Sequence, residues 1–64
     1  MTINQTQLRE RTRKFISDTG LPISKFVKRI GIARTSYYKW QNQIFDFGEQ
    51  RAEIVDTFLR KFNY

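Results

Sequence analysis

The 64-residue chain has room for one small core, contains neither Cys nor His, and carries twelve Lys and Arg against six Asp and Glu, a net charge of +6. That composition excludes a disulfide framework, haem ligation, ordinary zinc centres and the commonest acid–base and nucleophile–base catalysts. No apolar run approaches the roughly 18 residues of a membrane span and no signal-peptide h-region opens the chain, so a soluble, cytoplasmic protein is expected.

The first predicted helix covers about residues 5–19. Leu8, Phe15 and Ile16 fall at i, i+7 and i+8, Thr12 fills the i+4 place, and Arg9, Arg11, Arg13 and Lys14 take much of the remaining circumference. Thr2 or Asn4 is the expected N-cap, with Gln5 or Gln7 three residues on, and Gly20 the expected terminating glycine. The second helix, about 22–30, opens on Pro22, which suits a first turn because its missing N–H is no loss there. Phe26, Val27 and Ile30 line one face of it. Gly31 stops it at a position that calls for positive φ. Ile32 and Ala33 form a tight link, with Ile32 plugging the space between helices. The third helix, about 34–42, sets Tyr37 and Trp40 at i, i+3 toward the first two helices. Residues 43–48 read as a loop, although Phe45 and Phe47 on alternate positions would also suit a short strand. In the fourth helix, about 49–62, Ala52, Val55, Leu59 and Phe62 form a narrow stripe widened by Ile54 and Phe58. Glu49 near its start and Arg60 and Lys61 near its end complement the helix dipole. The expected fold is all-α: four short helices in one domain over 1–64, packed around a helix-turn-helix core through short connections.

Positive charge concentrates in the first two-thirds of the chain. Between Arg9 and Lys39 there are nine basic and two acidic residues, a net +7, whereas Trp40 to Tyr64 has a net −1. Such clustering fits a polyanionic partner, and equally a solvated surface that keeps a small protein soluble. No Gly-rich phosphate loop and no metal-ligand spacing occurs, so neither enzymatic activity nor a metal or cofactor is expected.

The segment from Leu21 to Gln43, LPISKFVKRIGIARTSYYKWQNQ, resembles the core of the lambda-repressor-like (Cro/repressor) helix-turn-helix family of small phage and bacterial regulators. Leu21, Phe26, Gly31, Ile32, Tyr37 and Trp40 match the family pattern, and the flanking helices fit its plan over about residues 8–62. Four positions depart from it. Pro22 stands where a capping Ser is common, Ile23 where a Gln near the DNA backbone is common, Val27 where a small Ala is common, and Gln43 where a Gly often ends the third helix.

In the family the exposed face of the third helix enters the major groove. The resemblance therefore implies a DNA-binding transcriptional regulator that takes double-stranded DNA, with Arg34, Thr35, Tyr38, Lys39 and Asn42 on the reading face. It implies Arg13, Ser24, Lys25 and Lys28 as candidates for phosphate contacts, which set register and affinity but carry no sequence code. Arg34 suits a bidentate pair with guanine O6 and N7, Thr35 a thymine methyl or a phosphate, and Lys39 a base or the backbone. Tyr38 suits a thymine methyl, a sugar or a protein interface, where Tyr is enriched. Useful specificity calls for two half-sites, and the last helix with residues 62–64 is the segment open to forming a homodimer. The alternative is a protein-binding modulator, an antirepressor that uses the same scaffold to bind and inactivate a repressor, with Ile23 and Tyr38 as its apolar contacts.

Overall fold

Asn4 starts the first helix: its backbone is extended and its side-chain oxygen accepts the Gln7 N–H at 3.0 Å, satisfying one of the donors a helix N-terminus leaves free. The computed structural model describes residues 3–64, so Thr2, the other expected cap, lies outside the described residues. Four helices follow in order: α1 (Gln5–Thr19), α2 (Ile23–Ile30), α3 (Arg34–Gln41) and α4 (Glu49–Lys61). There is no strand among the described residues; residues 42–48 are turn and irregular backbone, which corrects the strand option at Phe45 and Phe47. No helix among the described residues is long and apolar enough to cross a membrane.

The stops are where the glycines are. Gly20 has φ 69° and Gly31 φ 75°, and each sends its N–H back into the preceding helix, to the carbonyls of Ile16 and Val27. A side chain at either position would have to hold a left-handed conformation that L-residues avoid. Gln43 does so, with φ 61°, while the Ile44 N–H closes onto the Lys39 carbonyl at 2.9 Å. The closing turn of α3 therefore has the geometry that a glycine takes most easily, in a residue that carries a Cβ.

Pro22 is the residue before α2 and not part of its first turn. Its ψ of 140° is extended, and its carbonyl accepts from Lys25 and Phe26. The helix thus starts one residue later than the sequence suggests, because a proline outside the helix still supplies the first acceptor. The two C-terminal ends also fall one residue short of expectation, at Gln41 and Lys61.

One core joins the helices. Leu8 and Phe15 of α1, Phe26, Val27 and Ile30 of α2, Tyr37 and Trp40 of α3, and Ala52, Val55 and Leu59 of α4 are buried together with Ile32 and Phe47 from the connections. Much of it is aromatic. The Phe15 ring lies 5.2–6.1 Å from those of Phe26, Phe58, Phe62 and Tyr64, and Trp40 stacks on Phe47 at 4.4 Å with the planes 14° apart. Such offset and edge-on pairs add to the burial energy. Thr12 sits on the core stripe of α1 without an orphaned hydroxyl, because its Oγ1 donates to the Leu8 carbonyl at 2.7 Å. Two residues read as part of the α4 stripe lie elsewhere. Ile54 is 44 % exposed, and Phe62 follows the helix with 45 % exposure, its ring tilted 46° against that of Phe15 at 5.2 Å.

The chain end is tied down through α1. Arg11 donates to the Tyr64 main-chain oxygen and to Asp56, both at 2.6 Å, while Tyr64 Oη donates to Asp18 at 2.8 Å. Burial disfavours the charged Asp56 carboxylate, but the hydrogen bond and charge of Arg11, helped by Arg60, outweigh it and hold the carboxyl below its usual range. A folded-state pKa below the unfolded one gives stability that is present above the unfolded value, about 3.9, and is lost as pH falls through the folded value. Asp56→Asn is expected to lower the melting temperature at neutral pH, with the gap to the parent closing as pH falls below about 4. Thermal unfolding across pH 2–7 (about the range over which a carboxylate titrates) measures it; a gap that does not narrow in acid would assign the effect to packing.

Candidate nucleic-acid interface

From Ile23 to Gln41 the chain has five basic residues, Lys25, Lys28, Arg29, Arg34 and Lys39, and no acid, a net +5 over α2, the turn and α3. All five are exposed. The acids that form ion pairs among the described residues do so elsewhere: Asp46 with Arg9, and Asp56 with Arg11 and Arg60. None of the five, nor Arg13, has an acidic partner within ion-pair distance among the described residues. Exposed cations without ion-pair partners are left to attract polyanions from solution; Arg29 stands apart from the rest, lining the groove between α2 and α4.

On α3 the division between inside and outside is sharp. Tyr37 and Trp40 are buried, and Arg34, Thr35, Tyr38, Lys39 and Asn42 are exposed. At 100° per residue the five exposed positions fall within an arc of about 140°, on the side away from Tyr37 and Trp40. The aromatics of the Gly31–Asn42 stretch therefore do different jobs, since two fill the core and Tyr38, 46 % exposed, faces solvent with its ring edge against Tyr37 at 5.6 Å.

Ser24, Lys25 and Lys28 are exposed on α2, and Arg13 on α1. A groove of about 250 Å³ brings Arg13 together with Ile23, Tyr37, Tyr38, Gln41 and Asn42; Ser24, Lys25, Lys28, Arg34, Thr35 and Lys39 do not line it. Ile23 is half-buried and packs against the core, so it does not stand out as a free apolar group. Burial raises the Tyr37 hydroxyl above its usual pKa, against the Gln41 hydrogen bond and the nearby Arg13 charge, so it is neutral at physiological pH. Gln41 donates to that hydroxyl at 3.3 Å and to the Arg9 carbonyl at 3.4 Å, and its Oε1 is buried without a partner.

Comparison with protein-family models, curated proteins and solved structures finds no match to this chain.

What holds α3 in place was not legible as such in the sequence. Arg9, grouped by periodicity with the outward-facing cations of α1, is buried. Its Nε donates to the Trp40 carbonyl at 2.6 Å, and its Nη2 donates to the Phe45 carbonyl at 3.1 Å and to Asp46 at 2.7 Å. Its guanidinium lies 5.4 Å from the Trp40 ring centroid. Gln5 works beside it, accepting the Trp40 indole N–H at 2.8 Å and exchanging bonds with the Phe47 backbone at 3.2 and 3.3 Å. The signals for this clamp were present but weak: Arg9 follows core residue Leu8 directly, and Asp46 is the one acid between Asp18 and Glu49.

Proposed function

We propose that this protein is a small DNA-binding transcriptional regulator of the helix-turn-helix type, in which α3 enters the major groove and α2 and α1 contact phosphates. One observation carries the reading: α2 and α3 together expose five cations with no acid among them and no internal ion pair. The burial of Tyr37 and Trp40 supports it further, since it leaves Arg34, Thr35, Tyr38, Lys39 and Asn42 as one polar, basic face. On this reading Arg13 of α1 and Ser24, Lys25 and Lys28 of α2 fix register on phosphates. Arg34 discriminates a guanine, and Lys39 and Asn42 are available to bases or sugars.

Fluorescence anisotropy with labelled duplexes at several salt concentrations tests it. Log affinity is expected to fall linearly with log salt, Lys28→Ala to lower the slope by about one on every sequence, and Arg34→Ala to cost about 1–3 kcal/mol and relax one base position. A folded sample that binds no duplex at low salt overturns the proposal.

A second reading rests on Tyr38. An exposed aromatic beside a groove also fits a protein-binding modulator, such as an antirepressor that inactivates a repressor, where the ring is a hot spot worth about 2 kcal/mol or more. The two readings order the variants oppositely. A DNA reader loses more from Arg34→Ala than from Tyr38→Ala; a modulator loses its partner repressor with Tyr38→Ala and shows no DNA effect from either.

A further inference from the structure

Among the cations of α2, Arg29 alone lines the two grooves that run along α4. The first, of about 400 Å³, lies between α2 and α4 and is bordered by Ile54, Phe58 and Lys61; the second, of about 210 Å³, shares Arg29 and Phe58 with it and adds Phe15, Leu21 and Phe62. None of the residues assigned to the nucleic-acid face lines either groove. Ile54 is 44 % exposed, Phe58 half-buried and Phe62 45 % exposed. Single exposed apolar side chains are ordinary, but a run of three over adjoining grooves marks a contact surface.

The charges around this run say what fits it. Arg29, Lys61 and Glu53 are the charged residues lining the two grooves, and none of them forms an ion pair among the described residues. Asp56 and Arg60, the other charges between Glu53 and Lys61, are bonded to each other, and they line neither groove. The three are unevenly spread. Arg29 borders both grooves beside Phe58, and Lys61 follows Phe58 by one turn of α4. Glu53 lies at the Ile54 end, about 12 Å along the helix from Lys61. The Phe58–Phe62 end is therefore basic, and the Ile54 end holds the acid. The first groove follows α4 from Gln50 to Lys61, about 16 Å or three helical turns, a length that suits a segment of chain and not a small carboxylate. A nucleic-acid strand laid here would set phosphates beside Glu53. A second copy would bring its own Arg29 and Lys61, putting four cations against two acids.

We infer that the joined grooves along α4 dock an amphipathic helix of another protein, its apolar stripe on Ile54, Phe58 and Phe62, its Asp or Glu residues over Arg29 and Lys61, and a neutral or basic residue beside Glu53. Apolar anchors at i, i+3, i+4 and i+7 are what a groove between two helices accepts. A contact with one helix is small by the standard of stable complexes, so the docking is weak, and the charges set its direction more than its strength. It goes beyond the DNA reading and does not rest on it. A chain that docks such a helix and ignores duplex keeps this inference and loses the other.

The test is an NMR titration of the purified chain, without nucleic acid, with two synthetic helical peptides of about 14 residues, or four turns. Both carry Leu at i, i+3, i+4 and i+7; one has Glu and the other Lys flanking the last Leu. The Glu peptide is expected to move the amide signals of Arg29, Ile54, Phe58 and Lys61 and to bind more tightly than the Lys peptide. Arg29→Glu, at an exposed position, is expected to keep the helical circular dichroism, to weaken the Glu peptide about tenfold, and to turn the preference toward the Lys peptide. Ile54→Asp is expected to weaken both peptides. No binding, equal binding of the two peptides, or shifts confined to the exposed face of α3 would overturn the inference. So would amide signals of the groove that move on dilution of the chain alone, which would give the groove to a second copy.

Discussion

Trp40→Ala is expected to abolish the cooperative thermal transition. The side chain is fully buried, stacks on Phe47 at 4.4 Å, and donates its indole N–H to Gln5 at 2.8 Å. Truncating a buried aromatic of this size costs about 3–5 kcal/mol, through lost transfer energy and the cavity left behind. A core in a chain this short rarely supplies more than about that much in total. The loss also strips the face from which Arg9 and Phe47 hold the end of α3. Circular dichroism at 222 nm during heating would show a shallow, non-sigmoidal decline, and amide proton shifts would collapse toward random-coil values. A variant that melts sigmoidally near the parent temperature would remove Trp40 from the core and return it to a ligand face.

Arg9→Met is expected to cost about 3 kcal/mol, and Asp46→Asn less than about 1, although the two side chains form one ion pair. The asymmetry comes from where each sits. The Asp46 carboxylate is 67 % exposed, so its attraction to Arg9 is screened by water. Arg9 is buried, and its other bonds go to the carbonyls of Trp40 and Phe45. A buried acceptor that loses its donor costs about 1–3 kcal/mol, and Met fills the aliphatic space without replacing either bond. Because those carbonyls belong to the last turn of α3 and the segment after it, the variant also loosens the helix that carries Arg34 and Tyr38. Chemical denaturation of both variants measures the difference. Equal losses would mean that the ion pair, and not the carbonyl bonds, is what Arg9 contributes.

The sequence by itself determined the number and order of the helices and most of their stops. Those depend on short-range chemistry: the spacing of Leu8, Thr12 and Phe15 on α1, of Phe26, Val27 and Ile30 on α2, and the two glycines that take φ near 70°. It also separated Tyr37 and Trp40 from Arg34, Thr35, Tyr38, Lys39 and Asn42, because helical periodicity alone puts these sets on opposite sides of α3. Tertiary structure decided the rest. Whether a cation is surface or clamp depends on what lies across from it. Arg9 and Arg13 are four residues apart on one helix, yet one is covered by Trp40 and the 45–46 segment and the other is open. The same holds for apolar side chains: Ile54 and Val55 are neighbours with similar hydrophobicity, and only the one turned toward α1 and α2 is covered. Periodicity gives each helix a direction, but a buried arginine and an exposed isoleucine arise only when another segment arrives, or fails to arrive, above that face.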